Sequence, residues 1–326
     1  MITEPFSLTL FVLLVGAIAL DLLIGDPPRL PHPVVGMGRV IVILEQAWNR
    51  GSSTARRLKG ALLTLIVVTG VYVLVWGLLV VLARLHPVLG LAAELWLLAT
   101  ALAIKGLRDA VLEVARPLAG GDLDSARQAL SMIVGRDTAT LGEADITRGA
   151  VETVAENTVD GITAPLFWAL LGGVPLALAY KAINTLDSMV GYRNERHGDF
   201  GWASARLDDL ANWMPARLTA LAMWLAALAV PGARTGGALA ATIREAPRHA
   251  SPNSGWSEAM VANLMGVRLG GTNHYAGVAS HRATLGEPWE PLDVGHIGRA
   301  IRHMHGGWMV FVLFMALAVL LQEWLA

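Results

Sequence analysis

Carboxylate and amide side chains are concentrated in two polar stretches that flank one apolar segment. The first stretch is VETVAENTVDG, at 151–161, and the second is YKAINTLDSMVGYRNERHGDFGWASARLDDLANW, at 180–213. The apolar segment between them contains Gly172, Gly173 and Pro175, which interrupt a helix. A membrane tolerates the unpaired backbone groups of such a break only where protein or a polar cavity satisfies them. We therefore expect the functional centre within 151–213.

The acidic residues of the first stretch have a helical spacing. Glu152, Glu156 and Asp160 recur every four residues, with Arg148 one step earlier, so that one helix face carries all four. A charge stripe of this kind is commonly a solvated helix face. Here it leads directly into the interrupted apolar segment, so its far end is expected at the membrane surface. Clustered carboxylates at that position suit Mg²⁺, which takes oxygen ligands, water and substrate phosphate.

The second stretch repeats this mixture of residue types. Lys181, Asn184 and either Asp187 or Ser188 can share one face of a helix. The loop and helix that follow contribute Arg193, Asp208 and Asp209. For any one of these residues a structural hydrogen bond is the more common role. Their density in one stretch is what indicates a site.

Composition identifies the class of protein. Hydrophobic residues make up 54% of the chain, charged residues make up 16%, and the mean hydropathy is +0.52. Soluble domains carry about 25% charged residues, so this composition predicts an integral membrane protein in contact with a lipid bilayer. The net charge is −1 and basic residues form no patch interleaved with aromatics, which argues against nucleic-acid binding. The absence of cysteine excludes disulfides and thiol catalysis.

The hydropathy pattern predicts an all-α, polytopic membrane protein that forms a single domain over 1–326. Its four full transmembrane helices are predicted at 6–24, 61–83, 89–104 and 307–325. Two further apolar segments, 162–183 and 218–230, are predicted to be broken or re-entrant. The polar segments are 25–60, 105–160, 184–217 and 231–305, and helical patterns recur in them. The excess of Arg and Lys in 25–60 places that segment in the cytoplasm.

The last polar segment contains SPNSGWSEAMVANLMG, at 251–266. The Ser-Pro-Asn turn precedes a helix that is predicted to begin near Ser254 or Ser257, with Glu258 in its first turn. The free amides at such a helix start, next to Asn253, could bind a phosphate. Ordinary helix capping explains the same residues, and both interpretations stay open.

Long motifs along nearly the whole chain resemble the adenosylcobinamide-phosphate synthases, which are membrane enzymes of cobalamin biosynthesis. The resemblance is carried by LLIGDPPRLPHPVVGMG, SMIVGRDTATL, AVETVAENTVDGITAPLFWALLGG, YKAINTLDSMVGYRNERHGDFGWASARLDDLANWMPAR and SPNSGWSEAMVANLMGVRLGG. These motifs occur in the family's order. A related and weaker resemblance is to the AmpE-type inner-membrane proteins associated with β-lactamase regulation.

The resemblance implies an ATP-dependent carbon–nitrogen ligase. Such an enzyme joins a carboxylate of adenosylcobyric acid to (R)-1-aminopropan-2-ol phosphate, or to free aminopropanol, with ATP as co-substrate and Mg²⁺ as cofactor. A carboxylate is a poor electrophile, and its phosphorylation to an acyl phosphate is the usual means of activation. An AmpE-like sensor and a transporter are the two alternatives of other classes. The resemblance leaves a homo-oligomer open.

The resemblance also suggests roles for individual residues. Mg²⁺ ligands would be Glu152, Glu156, Asp160 and Asp187. Lys181 and Arg193 would contact phosphates, and Asn157, Asn184, Ser188 and Asn253 would help to bind ATP or substrate. Either Asp208 or Asp209 would accept the proton of the amine, or serve as an outer ligand of the metal.

Access to ATP sets a condition on topology. A full crossing by 162–183 would place 184–213 outside the cell, away from cellular ATP. We therefore expect 162–183 and 218–230 to form a re-entrant or interfacial pair. The protein would then lie in the inner (cytoplasmic) membrane with its active site facing the cytoplasm.

Overall fold

The structure, a computed structural model, describes residues 3–26, 32–192 and 194–325. Most of these residues are helical, which confirms the predicted all-α class. The chain divides into two compact units. The first comprises Met1–Ile104, Ala164–Asn212 and Met315–Ala326, and the second comprises Lys105–Thr163 and Trp213–Phe314.

In its described residues, the first unit is built from six complete helices and the end of a seventh. They are α1 (Leu8–Ile24), α2 (Pro33–Trp48), α3 (Ser53–Leu85), α4 (Pro87–Ala101), α8 (Ala164–Val190), α9 (Trp202–Ala211) and the last part of α13 (Gly295–Leu325). Helix α3 is central, since it packs against α2, α4, α8 and α9. Leu63 and Leu79 on α3 and Leu98 on α4 are buried in the core of this unit.

Helix α3 has one face for protein and one face for lipid. Its 33 residues have a mean hydropathy of 2.7 over the most apolar window, of which only 11% is buried by protein. Leu65, Leu74 and Val81 are among its large apolar side chains that stay exposed. In water such a surface would be unfavourable, whereas in a bilayer it is solvated by lipid. These features identify a multi-pass membrane protein.

The predicted break in 162–183 is present. A π-helical turn, Val159–Thr163, precedes α8, and within α8 Gly172 and Gly173 leave helical geometry. Gly173 has φ 67°, a left-handed conformation that glycine adopts without the steric cost of a Cβ. Pro175 follows directly and has no N–H to donate. The sequence therefore predicted both the location and the cause of this interruption.

The second unit combines helices with one small sheet. Its elements are α5 (Ile104–Ala119), α6 (Leu123–Ser131), α7 (Glu143–Thr158), α10 (Trp213–Ala227), α11 (Ala238–Glu245), a 3₁₀ turn (Ala246–Arg248), α12 (Ser254–Met265), β1 (Leu269–Tyr275), β2 (Val278–Leu285) and the first part of α13. Helix α12 packs against α7, α10 and α11. Residues 255 and 257–262 of α12 are buried, so this helix is the core of the unit.

The antiparallel hairpin β1–β2 was not predicted from sequence. Tyr275 pairs with Val278 across a two-residue turn in which Ala276 and Gly277 both have positive φ. Two positive φ angles are the mark of a type I′ turn, whose twist matches that of paired strands. Asp137 stabilises the turn, because its carboxylate accepts hydrogen bonds from the N–H groups of Ala276 at 3.1 Å and Gly277 at 2.8 Å.

Among the described residues, four helical stretches are long and apolar enough to cross a membrane, namely Ser53–Leu85, Pro87–Ala119, Glu143–Val190 and Gly295–Leu325. They contain three of the four predicted spans, 61–83, 89–104 and 307–325. The fourth prediction, 6–24, corresponds to Leu8–Ile24, a shorter apolar helix of 17 residues. The stretch Glu143–Val190 instead contains the segment predicted to be broken. The other segment predicted to be re-entrant, 218–230, lies largely in α10, a helix of 15 residues.

Candidate functional site

Three glutamates with interacting charges lie in the second unit. Glu152 and Glu156 are one turn apart on α7, and Glu258 lies on α12, which packs against α7. Burial raises the pKa of Glu258 well above its usual value, and the negative charges of Glu152 and Glu156 raise it further. Only 1% of Glu258 is exposed. Burial and the neighbouring charges therefore favour the protonated form of the Glu258 carboxyl group.

Glu152 is fixed by partners on both of its oxygens. Oε2 pairs with the guanidinium of Arg136, and Oε1 accepts a hydrogen bond from the N–H of Gly270 at 2.8 Å. Arg136 also donates to Asn273 Oδ1 at 2.8 Å. These contacts connect α7 to β1. They make Glu152 a link between the helix and the hairpin, and its predicted role as a metal ligand stays a prediction.

Glu156 has a different environment. Its Oε1 accepts a hydrogen bond from Ser254 Oγ at 2.9 Å. Ser254 is the first residue of α12, and its N–H is bound by Ser251 Oγ at 3.2 Å. Glu156 thus lies at the start of a helix, where the helix dipole favours a negative charge. Among the described residues Oε2 of Glu156 has no hydrogen-bond partner, so this oxygen is available to a ligand.

His249 completes this group of side chains. Its Nε2 lies 3.7 Å from Glu258 Oε1, and in the part of the chain that is described neither atom has a hydrogen-bond partner. Burial lowers the pKa of His249, which favours the neutral imidazole. Sequence reasoning did not select His249, and it treated Glu258 only as a residue of a helix start. The sequence did indicate that Ser254 and Glu258, four residues apart, share one face of a helix.

Arg282 on β2 balances the negative charge. Burial opposes its charged form, but Tyr275 and the glutamates 258, 156 and 152 raise the pKa of Arg282 overall. Its Nη2 also donates to Tyr275 Oη at 2.9 Å. The guanidinium therefore stays charged beside the carboxylates. The whole group combines fixed positive charge, an acid whose pKa is raised and a carboxylate with a free oxygen.

A second polar network lies in the first unit, on α8 and α9. Tyr180 Oη donates to Asn212 Oδ1 at 2.8 Å, and Asn212 Nδ2 donates to Asp208 Oδ2 at 3.0 Å. Tyr180 and Asn212 are each only 1% exposed. The first of these hydrogen bonds is buried and the second is partly buried, and together they orient the Asp208 carboxyl group.

The pKa of Asp208 is raised to about 7. Burial is the main cause and the neighbouring charge of Asp187 adds to it, while Asn212 and Asn184 act in the opposite direction. Gly191 makes room for this arrangement, since a Cβ there would lie 1.9 Å from Asp187 Oδ1. The structure thus brings together Asn184, Asp187 and Asp208, three residues that the sequence singled out.

Other predicted site residues have simpler environments. Ser188 is exposed and donates to the carbonyl of Asn184 at 2.9 Å. Asn157 donates to the carbonyl of Thr153 at 3.0 Å. Asp209 pairs with Arg206 at 3.3 Å on the exposed side of α9. Such contacts are typical of helix surfaces.

The remaining predictions are distributed over both units. Asp160 lies in the π-helical turn of the second unit, and Asn253, which is buried, precedes α12. Lys181 lies on α8 in the first unit, as does Asp187. Arg193 is outside the described residues. The four carboxylates proposed as Mg²⁺ ligands therefore divide between the units, with three in the second and one in the first.

The donor set fits a cation that enters with a substrate. Throughout 3–26, 32–192 and 194–325, no group of three or more His, Asp or Glu side chains could hold a metal ion by itself. Mg²⁺ commonly binds through only one or two carboxylates, with phosphates and water as the other ligands. The free oxygen of Glu156 is a hard donor of the kind that such a cation requires.

Comparison with known proteins assigns the family. A family model described as CobD/Cbib protein matches residues 14–304. The chain is 50% identical to the cobalamin biosynthesis protein CobD of Halalkalibacterium halodurans, over 94% of this chain and 95% of that protein. It is 47% identical to CobD of Klebsiella pneumoniae, over 94% of this chain and 95% of that protein. It is 45% identical to the cobalamin biosynthesis protein CbiB of Salmonella arizonae, over 94% of this chain and 96% of that protein.

No solved structure matches the chain significantly. The match to the family model covers most of the sequence, and the similarity to the relatives extends over nearly all of it. Both polar networks lie within the matched residues. This chain belongs to the CobD/CbiB family of cobalamin biosynthesis proteins.

Proposed function

We propose that this protein is an ATP-dependent ligase that forms an amide between adenosylcobyric acid and (R)-1-aminopropan-2-ol phosphate. The observation that carries the proposal is Asp208, a fixed and partly enclosed carboxyl group whose pKa is about 7. A general base is most effective when its pKa is close to the working pH. Amide formation requires such a base, because the attacking amine loses a proton as the bond forms.

In the proposed reaction the carboxylate of the corrinoid attacks the terminal phosphorus of ATP. ADP leaves and an acyl phosphate forms. The nitrogen of the amine then attacks the acyl carbon, the phosphate leaves, and Asp208 accepts the proton from nitrogen. Each turnover yields one amide, one ADP and one inorganic phosphate, so atoms and charges balance.

The described residues have distinct parts in this scheme. Glu156 is the carboxylate proposed to help hold Mg²⁺, which would offset negative charge on the transferred phosphoryl group when bound. Arg282 supplies fixed positive charge beside Glu156. Asn184 lies next to Asp208 and would orient substrate. Asp209, which is paired with Arg206 on the surface, is the weaker candidate for the base.

The proposed location is the inner (cytoplasmic) membrane, with both networks accessible from the cytoplasm, where ATP is available. The membrane helices and the basic residues of 25–60 support this orientation. The re-entrant interpretation of 162–183 is supported by the departure from helical geometry at Gly172 and Gly173.

Incubation of the detergent-purified protein with ATP, Mg²⁺, adenosylcobyric acid and aminopropanol phosphate tests the proposal. Mass spectrometry should detect the corrinoid amide only when ATP is present. A parallel reaction with free aminopropanol determines which amine is used. If folded protein yields no amide with either amine, the ligase proposal is wrong, and ligand binding by a sensor or transporter becomes the next measurement.

A further inference from the structure

A polar cavity in the first unit contains none of the residues discussed above. Its volume is about 510 Å³. It lies where the end of α2, the start of α3 and the segment 194–197 meet. The lining residues are Glu45, Gln46, Asn49, Arg50, Arg56, Glu195 and Arg196. A cavity of this size accommodates a small organic molecule.

Glu45 anchors one wall of the cavity. Its carboxylate accepts hydrogen bonds from Arg196 at 3.0 Å and 2.8 Å, and from Asn49 Nδ2 at 2.8 Å. The Arg196 guanidinium is the main reason that the pKa of Glu45 is lowered. Only 5% of Glu45 is exposed. The negative charge of Glu45 is therefore matched within the protein and does not require a ligand.

Arg56 fixes the opposite wall. Its Nε donates to Asn49 Oδ1 at 2.9 Å, and its Nη2 donates to the carbonyls of Glu195, at 2.9 Å, and Arg196. The guanidinium is thus held in one orientation before any ligand arrives. Within the described chain Nη1 of Arg56 has no partner, so one donor group remains for a ligand.

The loop that lines one side of the cavity is held by close packing. A Cβ on Gly60 of α3 would lie 1.7 Å from the carbonyl oxygen of Phe200, and a Cβ on Gly201 would lie 1.6 Å from that of Val190. Only glycine permits these approaches. Asn194 Oδ1 also accepts a hydrogen bond from the N–H of His197 at 2.8 Å. The cavity is therefore a preformed feature.

Three lining side chains are left without partners among the described residues. The structure gives no hydrogen bond or ion pair to the guanidinium of Arg50, the amide of Gln46 or the carboxylate of Glu195. A free guanidinium and a free carboxylate in one cavity match a ligand that carries both charges. Arginine binds phosphate through charge-assisted hydrogen bonds, and a carboxylate binds an ammonium group.

We propose that this cavity binds an aminoalkyl phosphate, with the phosphate on Arg50 and Arg56 and the ammonium group on Glu195 and Gln46. Two sources offer this chemistry. One is a free aminoalkyl phosphate, the class to which the amine of the proposed reaction belongs. The other is the phosphoethanolamine headgroup of a membrane lipid. Binding to the cavity does not depend on the proposed function, whereas its use as a substrate site rests on that function.

Isothermal titration calorimetry of the detergent-purified full chain with O-phosphoethanolamine, which measures the dissociation constant, tests this proposal. Arg50→Gln should weaken binding by about tenfold, the loss expected for one charge-assisted contact. Glu195→Gln should weaken binding of O-phosphoethanolamine but leave binding of inorganic phosphate unchanged. Arg57→Gln is the matched control, because Arg57 lies outside the cavity, 3.9 Å over the ring of Trp202. Unchanged melting temperatures would show that the variants are folded.

Nanodiscs distinguish the two sources. If the ligand is free, O-phosphoethanolamine binds equally in phosphatidylcholine nanodiscs with and without phosphatidylethanolamine. If it is a lipid headgroup, phosphatidylethanolamine displaces the probe and copurifies with the native protein more than with Arg50→Gln.

Two results would overturn the cavity proposal: no binding of either ligand, or equal losses in Arg50→Gln and Arg57→Gln. Ligation without binding would overturn the cavity proposal alone. Binding without any ligation would contradict the proposed function alone.

Discussion

Asn212 donates a hydrogen bond from Nδ2 to Oδ2 of Asp208 over 3.0 Å, and its own Oδ1 is occupied by Tyr180 Oη. The two contacts orient the Asn212 amide and thereby fix the Asp208 carboxyl group. Asp187 contributes an unfavourable charge to the same place. A carboxyl group that is held in one position and has a pKa near neutral pH is suited to proton transfer.

Asp208→Asn should lower kcat by at least about 10²-fold, which is the usual contribution of a general base. The native rate should fall as the pH decreases through about 7, the pKa of Asp208, because protonation removes the base. Steady-state kinetics of amide formation from pH 5.5 to 8.5 would measure both effects. Asp209→Asn is the control and should retain most activity, because Asp209 pairs with Arg206 on the surface. If Asp209→Asn lowered kcat more than Asp208→Asn, Asp209 rather than Asp208 would be the general base.

Glu152 and Glu258 should respond differently to replacement by glutamine. Glu152→Gln leaves the buried Arg136 without its counter-charge, and the expected loss of stability is about 3 kcal/mol. Glu258→Gln removes a carboxyl group whose ionisation is opposed by burial and by neighbouring negative charge, so stability at pH 7 should not fall. Thermal unfolding in detergent measures both. A loss in Glu258→Gln as large as that in Glu152→Gln would contradict the raised pKa of Glu258.

The raised pKa of Glu258 also predicts a dependence on pH. The folded state holds the proton more tightly than the unfolded state, so this stabilising contribution is complete below the unfolded pKa of about 4.3 and is lost as pH rises through the folded pKa. Glutamine does not titrate. The melting temperature of Glu258→Gln should therefore rise relative to that of the native protein as pH increases from 5 to 9. The groups that set the shift, Glu152, Glu156, Arg136 and Arg282, are unchanged in this variant.

Gly60→Ala should destabilise the protein strongly, because the new methyl group would lie 1.7 Å from the carbonyl oxygen of Phe200. Overpacking against the backbone is expected to cost about 3 kcal/mol or more. Gly70→Ala, on the same helix, is the control, since a Cβ there has no atom within 4 Å. The melting temperatures of the two variants in detergent should differ by several degrees. Similar values would mean that α3 and the loop at Phe200 are not in close contact.

Glycine contacts of this kind mark the limit of what the sequence predicted. Hydropathy located α3 and α4, and the Gly172–Gly173 pair located the break in α8, since each depends on local composition. The contact of Gly60 with Phe200 joins residues that are far apart in sequence, and nothing near either residue indicates it. The hairpin β1–β2 was missed because its turn, Ala276–Gly277, lacks the Asn-Gly or Asp-Gly pair that usually marks a type I′ turn.

The candidate site was predicted to a similar degree. Asp187 and Asp208 were singled out together because they lie in one polar stretch, and the structure brings them into electrostatic contact. Glu258 influences Glu152 across more than one hundred residues of sequence, so its role depends on the packing of α12 against α7. His249 gave no signal, because it lies before the helix that carries Glu258.

Sidedness can be tested at Ser188, since the chain contains no cysteine and Ser188 is exposed. Ser188→Cys should be labelled by an impermeant maleimide only after intact cells are permeabilised, as expected for a cytoplasmic site. Val88→Cys lies at the start of α4, beyond the span that leads away from the cytoplasmic segment 25–60. It is 62% exposed and should be labelled without permeabilisation. Ser204 is fully buried against Thr64 and is unsuitable as a probe. Labelling of Ser188→Cys from outside would contradict the re-entrant topology.

Transfer of oxygen from the corrinoid to phosphate tests the central claim most directly. Adenosylcobyric acid with ¹⁸O in its carboxylate would be incubated with ATP, Mg²⁺, aminopropanol phosphate and the purified protein. If the carboxylate attacks the terminal phosphorus of ATP, each amide formed releases one inorganic phosphate that contains one ¹⁸O. Amide formation with unlabelled phosphate would contradict activation through an acyl phosphate. If ¹⁸O appeared in AMP instead, the carboxylate would attack the α-phosphorus of ATP.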